Sequence, residues 1–572
     1  MNYLDYIVMA VFFAVLILIP VISAMRSKSK GASEYFKSAG SMPWWLIGIS
    51  MVAATTSTNS ANLFTEIVRR DGLSGNWAWW AFMLTGLLTV FVYSKLWVRS
   101  GATTDISFYE LRYSGKPAAF LRGFRAVYLG VIYNLVVMAT VLLGAVKIGV
   151  VLFGVSPAVI LIVTGVISII YTTLSGIRGT IYTDFFMFAV VMLGAFAVMY
   201  YSVNHPNVGG WSNLMSNPEV TSRLTFFPSL SNTEAFIAIF LIPVAVQWWN
   251  VWYSGSEPGG GGYIVQRMLT AKSANHAVGG TLFFNVLNNA IRPWPWFIAA
   301  FASIIIFPNL DSIREAFPNV DPSLVGDDMA YPALIRIIPN GWFGLVAASL
   351  MGALFSTIAA QLSMGANYVS NDIWKRFVRK DASDKELILV ARVTSIVLIV
   401  LGSLMVPLFG SAKAGFDLMV QIGAGTGLIF LLRWFWMRIN AWSEITAMIV
   451  SFLVAIFLEL VYPHLDLPVL LSWHKLLIGI VITTISWVSV TLLTKPTEAA
   501  KCAEFQSKIR SSRHDIAWGL LAMTMACASV YSAMFSVGYW IYGEVLLASI
   551  TTTTFVIATI SLWPILKRLN GK

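Results

Sequence analysis

The sequence predicts an all-helical protein that crosses a membrane many times, and three observations predict it. Of its 572 residues, 57% are hydrophobic and only 11% charged, where a soluble globular chain carries roughly 25% charged residues. The apolar residues fall into about 15 runs, most of them close to the ~20 residues that a helix needs to cross a bilayer. The basic residues occupy alternate connections. They are Arg26, Lys28, Lys30 and Lys37; Arg112, Lys116, Arg122 and Arg125; Lys375, Arg376, Arg379, Lys380 and Lys385; Lys495, Lys501, Lys508, Arg510 and Arg513; and Lys567, Arg568 and Lys572. That is the positive-inside pattern, so the net charge of +11 reads as topology and not as a nucleic-acid footprint. It puts the N-terminus outside and the C-terminus in the cytoplasm, which an odd number of spans satisfies.

Counted from 0, the expected spans are about 3–25, 43–68, 76–98, 124–153, 157–176, 179–203, 236–255, 277–306, 342–370, 389–409, 415–437, 441–461, 473–494, 516–537 and 539–565. The first has an acidic start at Asp5 and no basic n-region, so it reads as a membrane helix and not as a signal peptide. Span 1 carries Thr55, Thr56, Ser57, Thr58, Asn59, Ser60 and Asn62 at its middle. Two readings fit: a helix broken to turn carbonyls and hydroxyls towards a solute, or an unbroken Ser/Thr-rich packing face. Span 6 ends in Q-W-W-N-V-W-Y-S-G-S-E-P-G-G-G-G-Y, Gln247 to Tyr263, where Pro258 and four glycines stop the helix. The alternative there is a flexible loop at the membrane surface.

Spans 1 and 6 hold matching positions in two five-helix halves of opposite orientation. Paired interrupted helices are the best sequence pointer to an inverted-repeat transporter with its site at the midplane. The expected organisation is a peripheral first helix with a basic loop (1–42), a first half (43–203), an outer loop (204–235), a second half (236–438) and peripheral helices (439–572).

The two cysteines, Cys502 and Cys527, suggest neither a disulfide nor a metal framework. No H-E-x-x-H, C-x-x-C, G-x-S-x-G or P-loop pattern is present, which argues against metal hydrolysis and nucleotide-driven pumping. A membrane-embedded enzyme would need a clustered nucleophile, metal or acid/base set. A sensor would need a cytoplasmic domain, and a sodium channel would pass the ion without stoichiometric solute.

Four segments carry a resemblance. They are W-W-L-I-G-I-S-M-V-A-A (Trp44 to Ala54), L-S-G-I-R-G-T-I-Y-T-D (Leu174 to Asp184), Q-R (Gln266 and Arg267), and the end of span 8, with Asn371, Asp372, Ile373, Trp374 and Lys375. Over roughly residues 40 to 440 the chain resembles the sodium:solute symporters, which include the bacterial sodium/galactose, sodium/proline and sodium/sialic acid proteins. The resemblance implies a LeuT-like five-plus-five inverted repeat with extra peripheral helices. It also implies sodium-coupled import of a small organic solute across the plasma membrane (the bacterial inner membrane) by a monomer.

By that resemblance Na⁺ sits between spans 1 and 8. Its ligands would be the carbonyls of Ala53, Thr56 and Ala353 and the hydroxyls of Ser356 and Thr357, although both hydroxyls have the alternative of bonding back to carbonyls one turn earlier. Asp184 matches an aspartate that serves a second sodium in some relatives. Here the matching hydroxyl positions are Ala359 and Ala360, so Asp184 reads as a partner to the first site or a cap on span 5, and one sodium per solute is expected. Substrate candidates are Asn59, Ser60, Trp80, Asn134, Trp249, Tyr253, Arg292 and Gln421. Tryptophan and tyrosine faces with amides suit a sugar. Arg292 resembles a substrate-touching lysine of the galactose symporter and would suit a carboxylate, so a sugar acid, an amino acid or another carboxylate stays open, as does an internally paired or snorkelling arginine. Trp44, Trp45 and Trp77 read as an interfacial belt. Thr55, where relatives often carry Asn or Asp, and the E-P-G-G-G-G run depart from the family.

Overall fold

The computed structural model describes residues 1–26, 42–102, 105–174, 177–251, 256–510 and 512–569. Tyr253, Lys28, Lys30, Lys37 and Lys572 lie outside the described residues. Among the described residues the chain is helical, with one isolated parallel bridge between Met42 and Ala271. Among the described residues nine helices are long and apolar enough to cross a membrane, or up to eleven if each of two bent pairs is one span. Four more of the expected spans are shorter apolar helices: Tyr3–Ile19, Trp44–Thr55, Pro157–Ile169 and Thr233–Ala245. By this measure nine to eleven of the fifteen expected crossings are supported by length and composition among the described residues.

Span 1 is broken. Trp44–Thr55 ends and Thr58–Asp71 begins, with Thr56 (φ −97°, ψ 105°) and Ser57 (φ −115°, ψ 172°) extended between them. One hydroxyl mends the gap: Ser60 Oγ accepts the Ser57 N–H at 3.1 Å and donates to the Thr55 carbonyl at 3.4 Å. Span 6 is broken over a longer stretch. The helix Ile242–Ala245 is followed by a 3₁₀ turn at Gln247–Trp249, and the next described helix is Gly262–Met268.

Span 10 is a third interrupted helix, bent by 51° between Ala412–Ile422 and Thr426–Leu432. Gly425 at the bend has φ +76°, a conformation that glycine adopts without a Cβ penalty. The bend receives the unwound backbone of span 6. A Cβ at Gly427 would fall on the Trp249 carbonyl oxygen, and one at Gly423 on that of Val251.

Two other spans run past their expected ends. Span 3 is helical from Gly115 to Phe153 and span 8 from Trp342 to Val378, because a π-helical stretch, Tyr368–Val378, carries span 8 on through the N-D-I-W-K motif. Spans 3 and 8 are largely buried, whereas span 14 exposes most of its surface. The broken helices therefore sit inside a bundle whose periphery faces lipid. Asp5 at the start of span 0 is fully buried and accepts the N–H groups of Gly341 and Gly344 at 2.6 and 3.0 Å. It caps span 8 in the geometry a helix N-terminus favours for a carboxylate.

The fit between spans 6 and 10 makes Gly427→Ala costly. Overpacking of about 1–3 kcal/mol should lower the thermal unfolding midpoint in detergent. Gly410→Ala, where nothing lies within 4 Å of an added Cβ, should leave it unchanged. Equal midpoints for the two variants would contradict this packing.

Candidate functional site

The polar centre of the bundle is built around Asp184. It is the eighth residue of the helix Ile177–Val203, so it is no cap. Ser50 of span 1 donates to Asp184 Oδ2 at 2.6 Å, and Ser356 of span 8 donates to Oδ1 at 3.0 Å. Arg267, at the end of span 6, donates to Ser50 Oγ at 2.8 Å and to Asp184 Oδ2 at 3.2 Å. Both Asp184 and Arg267 are buried. One carboxylate thus ties spans 1, 5, 6 and 8.

Among the expected sodium ligands, Ser356 is spoken for by Asp184, while Thr357 Oγ1 is buried without a hydrogen-bond partner among the described residues. Neither bonds back to its own helix. An orphaned hydroxyl beside a polarised one, on a buried helix packed on the break of span 1, is the donor chemistry a hard cation takes: oxygen, not nitrogen or sulfur. The Ala53 carbonyl accepts the Thr56 N–H at 3.0 Å, and Thr56 Oγ1 donates to the Val52 carbonyl at 2.7 Å. Ala353 is buried.

Arg292 reaches the same break. A π-helical turn, Leu287–Ile291, precedes it and sets its direction. Its Nη1 donates to Thr56 Oγ1 at 2.8 Å, and its guanidinium lies over Phe64 and Trp296, 5.6 and 5.7 Å from the ring centroids.

The other candidates separate. Asn59 is buried against Gly144, and its Oδ1 has no partner among the described residues. Ser60 commits its hydroxyl to the break. Trp80 is fully buried among Trp77, Trp79, Phe226 and Phe297. Trp77 shares that cluster and is 5% exposed, so it is core and not belt, unlike the exposed Trp44 and Trp45. Asn134 donates to the Gly130 and Gln361 carbonyls at 3.2 and 2.8 Å, which joins spans 3 and 8. Trp249 is half-buried on the unwound part of span 6, and its Nε1 has no partner among the described residues. Gln421 donates to the Lys475 carbonyl at 3.0 Å and, with Gln247, Asp71, Lys413 and Asp417, lines a cavity of about 420 Å³ on the face away from the basic loops.

Sequence reading missed several residues. Asn62 and Asn250 are fully buried, and no polar atom of either side chain has a partner among the described residues. Both lay in the quoted motifs. Lys147, in an otherwise apolar run of span 3, is fully buried and bonds Asp328 at 2.7 and 2.8 Å; an intramembrane lysine is itself a signal. Burial pushes the Asp328 carboxyl above the usual carboxylate range, against the pull of Lys147. Arg69 bonds the neighbouring Asp327 at 2.8 Å. Arg125 and Arg112, which count as loop charges in the sequence, are buried. Arg125 pairs with Glu257 of the E-P-G-G-G-G run, and Arg112 Nε holds the Arg433 carbonyl at 2.8 Å.

The family model of the sodium:solute symporter family matches residues 35–451. The chain belongs to the sodium:solute symporter family. This symporter is 25% identical to a sodium/glucose cotransporter of Vibrio parahaemolyticus over 476 residues, covering 80% of this chain and 86% of that one. It is 25% identical to the human sodium/myo-inositol cotransporter 2 over 561 residues, 89% and 79% of the two chains. Its fold matches that of a substrate-bound, outward-open Na⁺-coupled sialic acid symporter, with TM-score 0.66 and 21% identity over 87% of this chain and 99% of that one. The expected LeuT-like, all-helical architecture and the sodium coupling are borne out, and the protein is a transporter, not an enzyme.

Removing one member of the buried pair should be worse than removing both. Asp184→Asn leaves Arg267 buried and unbalanced, a loss of about 3–5 kcal/mol. Asp184→Asn combined with Arg267→Gln should recover part of that loss in thermal unfolding. Strict additivity of the two substitutions would show that the pair does not interact.

Proposed function

We propose that this symporter imports a sugar or sugar acid with one sodium ion, as a monomer in a bacterial plasma membrane, by alternating access. The basic-loop face is then cytoplasmic, with the N-terminus outside and the C-terminus inside. The observation that carries the reading is the set of buried amides on the two broken spans: among the described residues, both polar atoms of Asn62 and Asn250 and the Oδ1 of Asn59 lack partners. Each amide offers two donors and an acceptor, and leaving them unmet in a buried place costs about 1–3 kcal/mol per group. A polyhydroxylated solute meets both donors and acceptors. The glucose and myo-inositol specificities in the names of the relatives agree with this.

The ion is assigned to Ala53, Thr56, Ala353, Ser356 and Thr357, with Asp184 holding the Ser356 hydroxyl in place. Methyl groups at Ala359 and Ala360 supply no further oxygen, which supports a single sodium. One charge moved across about 100 mV contributes about 2.3 kcal/mol, and a tenfold sodium gradient about 1.4 kcal/mol. Together they allow accumulation of a neutral solute on the order of 500-fold.

Ser356→Ala or Thr357→Ala should raise the sodium concentration needed for uptake at least tenfold, about 1.4 kcal/mol. Unchanged sodium dependence in both variants would remove them from the site. In the same proteoliposomes, a reversal potential that requires two sodium ions per solute would defeat the stoichiometry.

Arg292 gives specific support to an acidic solute beside a neutral one. Its guanidinium lies at the break, and a bidentate bond to a carboxylate is what that group does best. Sodium-dependent thermal stabilisation across sugars, polyols, uronates and amino acids identifies the solute class. Arg292→Gln should abolish stabilisation by the acidic members and spare the neutral ones. A general loss of stability with unchanged selectivity would make Arg292 structural, and stabilisation by amino acids alone would overturn the sugar reading.

A further inference from the structure

A crevice of about 1050 Å³ opens between span 0, the span 3–span 4 hairpin and span 8. Its wall includes Met9 of span 0, Val159 and Val163 of span 4, and Met351 and Leu354 of span 8, and it reaches Thr58, the first residue after the break of span 1. Val159 and Val163 are exposed at its rim, so it opens sideways through residues of the membrane spans. Its volume is at the upper end of the roughly 300–1,000 Å³ of ordinary ligand sites, and its lining is mainly apolar.

The charge at this crevice is placed at one end. Arg336 lines it and is exposed. It ends the helix Ala330–Arg336, six residues before span 8 begins at Trp342, which puts it at the membrane boundary away from the basic loops. One face of its guanidinium lies 5.8 Å from the Phe343 ring centroid, and Nη1 reaches the Leu152 carbonyl at 3.5 Å. Among the described residues no carboxylate forms an ion pair with it. An apolar slot that opens to the side, with an arginine at the headgroup level, has the polarity of one kind of molecule in its surroundings.

We propose that this crevice holds the acyl chains of a phospholipid from the surrounding leaflet, with the lipid phosphate on Arg336. The chains replace water or void along Val159, Val163 and Met351, and each buried methylene contributes favourably. The phosphate takes the guanidinium donors that the protein leaves facing solvent. The lipid then packs against the turn of span 8 that precedes Ser356 and Thr357, and against the start of the second half of span 1. It acts as a wedge between the peripheral span 0 and the ion-binding helices.

Native mass spectrometry of the full chain, delipidated in an alkyl glycoside detergent and titrated with phosphatidylglycerol, tests the proposal. The detergent has a tail and no phosphate, so it controls for tail binding alone. Two variants separate the parts of the site. Val163→Trp fills the crevice from a lipid-facing position and should abolish the bound lipid peak. Arg336→Gln should weaken it about fivefold, the contribution of one basic residue near an anionic headgroup. Circular dichroism and thermal unfolding confirm that each variant is folded. Loss in folded Val163→Trp together with an approximately fivefold weakening in Arg336→Gln supports the assignment. Retention of the lipid in folded Val163→Trp, or undiminished affinity in Arg336→Gln, overturns it.

Discussion

A chain inside hydrocarbon must satisfy its own backbone, and the three unwound stretches in spans 1, 6 and 10 set the conditions that the rest of the structure meets. At the break of span 1 the solution is local, through the Ser60 hydroxyl and the Thr56 N–H. At span 6 it comes from neighbours. Tyr133 of span 3 shares its one hydroxyl hydrogen between the Val251 carbonyl of span 6 and the Met419 carbonyl of span 10, each at 3.2 Å. Trp97 of span 2 donates to the Gly259 carbonyl at 2.7 Å, Thr85 to the Trp248 carbonyl, and Asp105 accepts the Gly262 N–H at 3.1 Å. The large aromatic and hydroxyl side chains of spans 2 and 3 are therefore partners of a specific irregular backbone. The glycine run is no surface loop: Glu257 and Gly259 to Gly262 are buried within the bundle.

Buried charge does the second part of the work. The segment after the break of span 6 is held on the basic face by two pairs, Glu257 with Arg125 and Arg267 with Asp184. On the opposite face Arg69 and Lys147 hold the loop residues Asp327 and Asp328, and the Ala412 N–H joins Asp328 at 3.2 Å. Buried pairs are weak contributors to net stability, because desolvation offsets their attraction. Their effect is selective: each arrangement of the broken helices that separates a pair strands a charge. The pairs therefore choose between packings of the bundle more than they hold the bundle together.

How much of this was legible in the sequence depends on range. The break of span 1 is a local fact, since seven polar residues within eight positions leave a helix little to offer lipid. The break of span 6 is equally local, with proline and glycine adjacent. The bend of span 10 was written just as locally, as G-A-G-T-G from Gly423 to Gly427, but small residues in a membrane helix also read as a packing surface. Here they are both, because the bend is the surface that accepts Trp249 and Val251. Trp80 shows the opposite failure. A tryptophan beside a polar break suits a solute, yet residues distant in sequence, Phe226 and Phe297, close over it.

The site itself lies mostly beyond local reading, for a physical reason. An ionisable group in a span announces that it has a partner, because the alternative is an isolated charge in a medium of low dielectric. It does not announce which one. Asp184 was recognisable as functional from its motif, but its guanidinium partner is 83 residues away and its two hydroxyl donors are on spans 1 and 8. Glu257 stood in a departure from the family and pairs across 132 residues with an arginine that looked like a topology signal. Sequence chemistry thus fixes how many charges the membrane interior must balance, while only the fold decides the pairing. It is the pairing that turns one carboxylate, Asp184, into the shared anchor of four helices.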